Sequence, residues 1–511
     1  MENCELNLID ERYPDRRFWT FKHKPGVEGG SEFWKFMDTA YKMNVCMMQY
    51  EYTEQPSNMV TQNWEVAAKM KIGDVVFLRG DTRLYAVGVV TGHGLEVYED
   101  GDEEEMVVET SLRETLGSRK HGPDNQWVAG KYWGSVIFSD SEVFFEDLTA
   151  CNGWSGSWGQ RVRVEKWLYY TRDGIDCRSN EYYSDSGVYV TIRELKKESA
   201  EFFLQCLVLG YLKEKGVDPM IMDLLTMNKN LVLTGAPGTG KTFLAGVVAE
   251  GLTGGDASRI IRVQFHPSYG YPDFIEGLRP AKNAGGEIAF ERKDGAFMDV
   301  CRKAKDSPDK SFVVIIDEIN RGDISKIFGE LFSLIEPGYR TFDGRQKNGA
   351  YVAVKTQYNN LMDDNDEFKN GFFVPPNVYI IGTMNDVDRS VESMDFAIRR
   401  RFVWHEVTPE ERFDAMWGED NVEGVKREIV KTRMNALNKK ISSDPALGEA
   451  YQIGPYYFMK LRDLKGNYEA LWDQNIKLLL KEYLRGMPEA QKMLKELGAV
   501  LVNVNDNESV K

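Results

Sequence analysis

The stretch Asn230–Phe243, NLVLTGAPGTGKTF, constrains this chain more than any other. It sets Gly235, Gly240, Lys241 and Thr242 in the order G-x-x-x-x-G-K-[ST], after an apolar strand-like run (Leu231–Leu233) and before a helix-compatible one, FLAGVVAEGL. Strand, glycine-rich turn and helix together make a phosphate-binding loop. Glycines let backbone N–H groups approach an anion closely, and the helix turns its positive end to the same place. Lys241 supplies a charge for the β- and γ-phosphates, and Thr242 a hydroxyl for Mg2+. Pro237, Gly238, Thr239 and Phe243 fall in the same turn and helix start and complete the expected nucleotide site.

Around this loop, near-continuous apolar runs alternate with helical ones. Leu231–Thr234, Arg259–Phe265, Phe312–Ile316, Val378–Thr383 and Phe402–Val407 have the length and composition of parallel strands covered on both faces. Right-handed crossovers bring their C-terminal ends, and hence the ligand, to one edge. Asp317 and Glu318 follow the third run directly. Asp317 is placed to hold Mg2+ through its water shell, and Glu318 to orient the attacking water. Asn385, just past the fourth run, brings an amide near the γ-phosphate. Arg399, Arg400 and Arg401 stand consecutively before the last run, more cations than local packing requires. Arg399 and Arg400 read as fingers reaching a neighbouring subunit's nucleotide, which demands a ring.

A chain of 511 residues exceeds one ordinary core. The expected division is a β-rich domain at 1–195, an α/β nucleotide-binding core at 196–407, and a helical lid with a polar tail at 408–511. In the first part, short runs rich in Trp, Tyr and Gly predict strands at Phe18–Lys22, Asp74–Arg79, Tyr85–Thr91, Trp133–Phe138, Val162–Tyr170 and Gly187–Ile192, with helices at Ser31–Met43 and Trp64–Met70. At Glu194–Lys215 the apolar period changes from two to about 3.6, marking a helix. No stretch approaches a membrane span of about 18 apolar residues. The mixed-charge start is not a secretion signal. Six scattered cysteines give no zinc or disulfide framework, and a cytoplasmic setting is expected. The net charge of −16 excludes a general polyanion binder, so any nucleic-acid contact must be a local basic or aromatic patch.

Two resemblances follow from these residues. Met70–Val90, MKIGDVVFLRGDTRLYAVGVV, resembles the strand pair of PUA-like domains of the EVE and YTH type. That resemblance implies an α+β barrel with a pocket for one extruded, modified base, and Trp19, Trp64 and Trp133 are the candidate walls. GTMNDVDRS (Gly382–Ser390), VQFHPSYGYPDFIEGLRP (Val263–Pro280), IIDEINRGDISKIFGEL (Ile315–Leu331), FAIRRRF (Phe396–Phe402) and Ile453-Gly454…Tyr457-Phe458 resemble the McrB family within the AAA+ class. The chain departs from that family's usual His at Pro455. The resemblance implies GTP with Mg2+ as the hydrolysed species, Asn385 and Asp388 as residues needed to use it, and a homo-hexamer. It also implies modified (methylated) DNA as the target and a separate McrC-like nuclease subunit as partner. A MoxR-like ATPase that remodels protein clients, or a defence protein reading RNA, are the competing expectations.

Overall fold

A computed structural model describes residues 15–22, 37, 41, 45–47, 70–71, 73–80, 82–94, 161–164, 167–171 and 174–176. From 192 onward it describes all but 283–287, 347, 388–395, 419–424, 446 and 503–511. The chain divides into two compact units, within 6–214 and from 215 on.

In the first unit, β1 (Phe18–Lys22), β2 (Val45–Met47), β3 (Val75–Arg79), β4 (Arg83–Gly94), β5 (Arg161–Val164), β6 (Ile175–Asp176) and β7 (Ile192–Leu195) form a mixed sheet. Its order is β2-β5-β4-β3-β1-β7, with β6 also on β4. β2 and β7 are edges among the described strands, so their pairings do not show the closed barrel expected from the sequence. The strand expected across Val162–Tyr170 stops at Val164, and Leu168 then forms an isolated bridge to Val87. The expected strand at Trp133–Phe138 and most of the two expected helices lie outside the described residues. So do most of the strand expected at Gly187–Ile192, Trp64 and Trp133.

The Gly-Asp pair of the PUA-like segment has a physical reason. Gly73 takes φ 92°, which an L side chain resists, and turns the chain so that Asp74 points inward. Asp74 is 2 % exposed and accepts from Arg17 N, Lys71 N and Trp19 Nε1 at 3.0, 3.0 and 2.8 Å. Trp19 is thereby fixed in the core, 1 % exposed. It is a packing residue with no open face for a base, and the expectation that it walls a base pocket is corrected. Helix α1 (Lys197–Glu214) lays Phe203 edge-on against Phe77 of β3 and belongs to this unit, so the division falls after Glu214 rather than after 195.

The second unit is built on β8 (Asn230–Thr234), β9 (Ile260–Gln264), β12 (Phe312–Asp317), β13 (Val378–Thr383) and β14 (Val403–Glu406). All pair in parallel in the order β14-β8-β13-β12-β9. Each lies within a residue or so of the apolar run that predicts it, because a strand buried on both faces must be apolar throughout. Helix α2 (Pro219–Asn228) leads into β8 and α3 (Lys241–Thr253) leaves it. Phe265, Phe274, Phe297 and Phe328 form a ring-on-ring core beneath the sheet, with α4 (Tyr271–Phe274), α5 (Ala296–Asp306) and α6 (Ile324–Phe328) closing over it. Between α4 and α5 a hairpin, β10 (Glu276–Lys282) with β11 (Ile288–Asp294), projects from the core.

After α7 (Phe396–Arg399) and β14 the chain turns helical: α8 (Pro409–Trp417), α9 (Arg427–Ser442), α10 (Pro455–Met459), α11 (Tyr468–Leu471), α12 (Lys477–Tyr483) and α13 (Ala490–Val502). Thr408 caps α8, accepting from Glu411 N, and Pro409 opens it. Trp417, Met434, Leu437, Phe458, Leu480 and Leu501 share a separate core. Burial of such side chains stabilises by about 1.5–3 kcal/mol each, enough to hold the lid as a body of its own.

Candidate functional site

β8 ends at Thr234, and the next residues turn through three glycines with positive φ: Gly235 (133°), Gly238 (81°) and Gly240 (81°). A side chain at Gly235 would strike the Val407 carbonyl at 2.4 Å, so the glycine is required there by space as well as by conformation. α3 begins at Lys241, immediately after the turn. Lys241 is 6 % exposed, and its ammonium folds back onto the carbonyls of Gly235 and Ala236, both at 2.9 Å. Thr239 turns its hydroxyl inward to Ala236 O at 3.0 Å. Phe243 lies on the open side of α3, 56 % exposed.

Parallel pairing brings the ends of β12 and β13 beside this turn. Asp317 Oδ1 accepts from Thr242 Oγ1 at 3.1 Å and from Thr383 Oγ1 at 2.9 Å. Asn385 Nδ2 donates to Glu318 Oε1 at 2.8 Å, and Arg321 Nε lies 3.3 Å from Glu318 Oε2. Glu318 itself takes φ 52°, ψ 48°, a conformation costing a non-glycine residue of order 1 kcal/mol or more. The chain after it turns sharply into a 3-10 segment, leaving the carboxylate between an amide and a guanidinium. Two hydroxyls, two carboxylates and an amide thus converge beside a folded-back ammonium. Asp388 lies outside the described residues.

Sequence reasoning missed several members of the site. Asp386, one residue past Asn385, accepts from Gly235 N–H and sits near Lys241. Burial raises its carboxyl above the usual range, and the Lys241 charge only partly offsets this. Glu406, at the end of β14, is also raised, first by burial and then by Asp386, Glu449 and Glu411. The signal was present, since Glu406 ends β14 and Asp386 follows β13 by three residues, and both strands flank β8. The lid supplies the other missed contact. Gly454 N donates to Pro237 O at 2.9 Å and Tyr456 N to Gly238 O at 3.1 Å, so the start of α10 rests on the phosphate turn. The Tyr457 ring covers Gly238, 2.8 Å from where a Cβ would stand.

The three arginines separate by environment. Arg401 is 9 % exposed, pairs with Glu336 at 2.9 Å and stacks over Phe332 at 4.4 Å. Arg400 is 68 % exposed and only 3.9 Å from the same carboxylate. It borders an open cleft of 580 Å³ with Asn228 and Gly338. Arg399 is exposed beside the Trp404 ring. In the register Val403↔Leu231 to Glu406↔Thr234, β14 runs parallel to β8. The arginines precede the first residue of β14 while the phosphate turn follows the last residue of β8. They lie at the opposite end of the sheet from their own turn, at least about 10 Å away along the strands.

A five-strand parallel sheet, a phosphate turn against a helical lid, and strand-end acids and amide define an AAA+ P-loop α/β core. Residues 230–402 match the family described as AAA domain (dynein-related subfamily), and residues 429–492 match McrB, alpha-helical lid domain. The "Type IV methyl-directed restriction enzyme EcoKMcrB subunit" of Escherichia coli (strain K12) is 42 % identical over 243 residues, 47 % of this chain and 49 % of that protein. The "Type II restriction enzyme BsuMI component YdiS" of Bacillus subtilis (strain 168) is 30 % identical over 234 residues, 41 % of this chain and 64 % of its own length. Through that core and lid this chain is similar to McrB-type proteins, and it spans about half to two-thirds of the length of these two relatives. The solved structure of C. elegans PCH-2 aligns with 60 % of this chain and 69 % of its own at 13 % identity and a TM-score of 0.22, too distant a likeness to argue from. No helix among the described residues is long and apolar enough to cross a membrane.

Proposed function

We propose that this protein is the GTP-hydrolysing, DNA-reading subunit of a modification-dependent restriction system, working as a hexameric ring with a separate McrC-like nuclease subunit. The observation that carries this reading is the convergence of Thr242, Asp317, Thr383, Glu318 and Asn385 beside Lys241, in a chain 42 % identical over this region to a methyl-directed restriction subunit. The first unit is the reader of the modified base in this account, with Trp64 and Trp133 remaining as its candidate aromatic walls.

Thr242 and Asp317 offer hard oxygen donors within 3.1 Å of each other. No cluster of three His, Cys, Asp or Glu exists among the described residues to cage a metal alone. That donor set suits Mg2+, which is commonly held by one or two carboxylates plus substrate phosphates, and which when bound neutralises the phosphate charge. Lys241 exchanges its two carbonyls for phosphate oxygens. Glu318, held by Asn385, orients the attacking water and takes its proton, while Asn385 keeps the carboxylate aimed. Asp388 belongs with Asn385 in the use of GTP. Arg399 and Arg400 complete a neighbour's site, since they cannot reach their own.

The test is hydrolysis of GTP and of ATP by purified protein, alone and with a nuclease subunit encoded beside it. Slow GTP turnover that rises with the partner is expected. Free ATP turnover without GTP turnover would instead favour an ATP-driven remodelling protein.

A further inference from the structure

The chain from Pro337 to Thr356 lies between β12 and β13 and forms a hydrogen-bonded hairpin. Arg345 and Tyr351 bridge across it, Val352 N donates to Gly344 O at 2.9 Å, and Gln346 N donates to Ala350 O at 2.9 Å. Gly349 closes the tip at φ 83°. Its surface is unusual for a chain of net charge −16. Tyr339, Phe342 and Tyr351 are 41, 38 and 51 % exposed, where rings of that size are normally buried. The same segment carries Arg345 and Lys355, both exposed and in no ion pair among the described residues. The nearest acid in the hairpin, Asp343, turns its carboxylate to Arg345's own backbone N–H at 2.9 Å. The Arg345 guanidinium lies 5.7 Å from the Tyr351 ring centre.

On the reading of this protein as a motor acting on nucleic acid, we infer that this hairpin is where the AAA+ core itself grips a single-stranded segment of nucleic acid. Unpaired bases stack on aromatic rings whatever their sequence, and cations alongside meet the phosphates. An acidic protein surface would satisfy the two cations and leave three rings without a matching face. A paired duplex would satisfy the cations and offer the rings nothing to stack on. The hairpin is also rooted where a load can be felt. Arg340, at its base, is enclosed and donates to Ile335 O, to Val378 O at the start of β13, and to Asn230 Oδ1 at the start of β8. Those two strands lead into Asn385 and into the phosphate turn.

The experiment uses the full chain and a fluorescein-labelled, unmodified thymidine 30-mer, with anisotropy read across a salt series. Arg345→Glu with Lys355→Glu is expected to weaken binding at low salt about tenfold or more, and to reduce the slope of log K against log salt by about 1.4, two phosphate contacts on a single strand. Tyr339→Ala with Phe342→Ala is expected to weaken binding at least about fivefold per ring with the slope unchanged. Wild-type affinity and slope in both variants would overturn the assignment, as would an undetectable wild-type complex at low salt. So would a loss confined to nuclease-subunit binding. Preference for methylated over unmethylated duplex and the GTPase rate, measured on the same preparations, are expected to persist in the wild type and both variants. If they fail in the wild type, the functional reading fails separately from this one.

Discussion

Three successive arginines allow one substitution series to separate structure from catalysis. Arg401→Ala removes an ion pair to Glu336 at 2.9 Å and a stack on Phe332. Glu336 is 32 % exposed, so solvent screening discounts the pair to about 1–2 kcal/mol, and the stack adds about 1. The loss of about 2–3 kcal/mol corresponds to roughly 4–12 °C in melting temperature for a unit of this size. Arg399→Ala and Arg400→Ala remove exposed side chains and should change stability by no more than about 0.5 kcal/mol. If these two act across a subunit junction, they should instead slow hydrolysis about a thousandfold. Calorimetry and a phosphate-release assay give both numbers. The decisive arm mixes the Arg399→Ala/Arg400→Ala double variant with Lys241→Ala. Each mixed ring then contains junctions that pair an intact phosphate turn with intact fingers, so activity should partly return. No recovery on mixing, or equal destabilisation by Arg400→Ala and Arg401→Ala, would refute the reasoning.

Other outcomes follow from the same geometry. Gly454→Ala would set a methyl 2.1 Å from the Gly238 carbonyl carbon and 2.4 Å from Thr239 N, with backbone on both sides. We expect a cost of about 2–3 kcal/mol, read as weaker nucleotide binding and faster proteolysis between core and lid, and nucleotide affinity equal to wild type would count against the docking described. Asp386 has its carboxyl raised by burial, so its ionised form costs stability, increasingly so as pH rises through the raised folded value and not at all below the unfolded one. Asp386→Asn should therefore gain stability near neutrality, with the gain vanishing as pH falls toward about 4; urea denaturation at several pH values decides it. Asp74→Ala leaves Trp19 Nε1 and two backbone N–H groups without an acceptor and should cost the first unit about 3 kcal/mol by denaturant titration, a loss under about 1 showing that water replaces the carboxylate.

The strands of the second unit were legible because a strand enclosed on both faces has one solution, an unbroken apolar run, and the chemistry sits at fixed offsets from those runs. Thr242, Asp317, Glu318 and Asn385 meet as their positions imply. What local patterning could not convey was which distant surfaces touch. The lid's Gly454 and Tyr457 were visible as a motif, but their seat on Gly238 depends on packing more than 200 residues away in sequence. Asp386 and Glu406 went unseen because an acid at a strand end looks solvated until neighbouring elements enclose it. Arg399 and Arg400 read as fingers from position alone, whereas the partner that holds Arg401, the carboxylate of Glu336, lies far off in sequence and shows only in the fold. The hairpin of β10 and β11 was hidden by Pro280, which strand patterning discourages and an outlying ribbon accepts. Trp19 misled in the opposite sense: an aromatic beside a matching motif was the core that keeps the motif in shape.

The ammonium of Lys241, resting on the carbonyls of its own turn, has a consequence for any machine that empties and refills. The chain's own carbonyls already meet the cation, so a phosphate that binds there competes with oxygens of the turn itself. Affinity is correspondingly a difference, new oxygens for old, which leaves departure affordable even where arrival is strongly favoured.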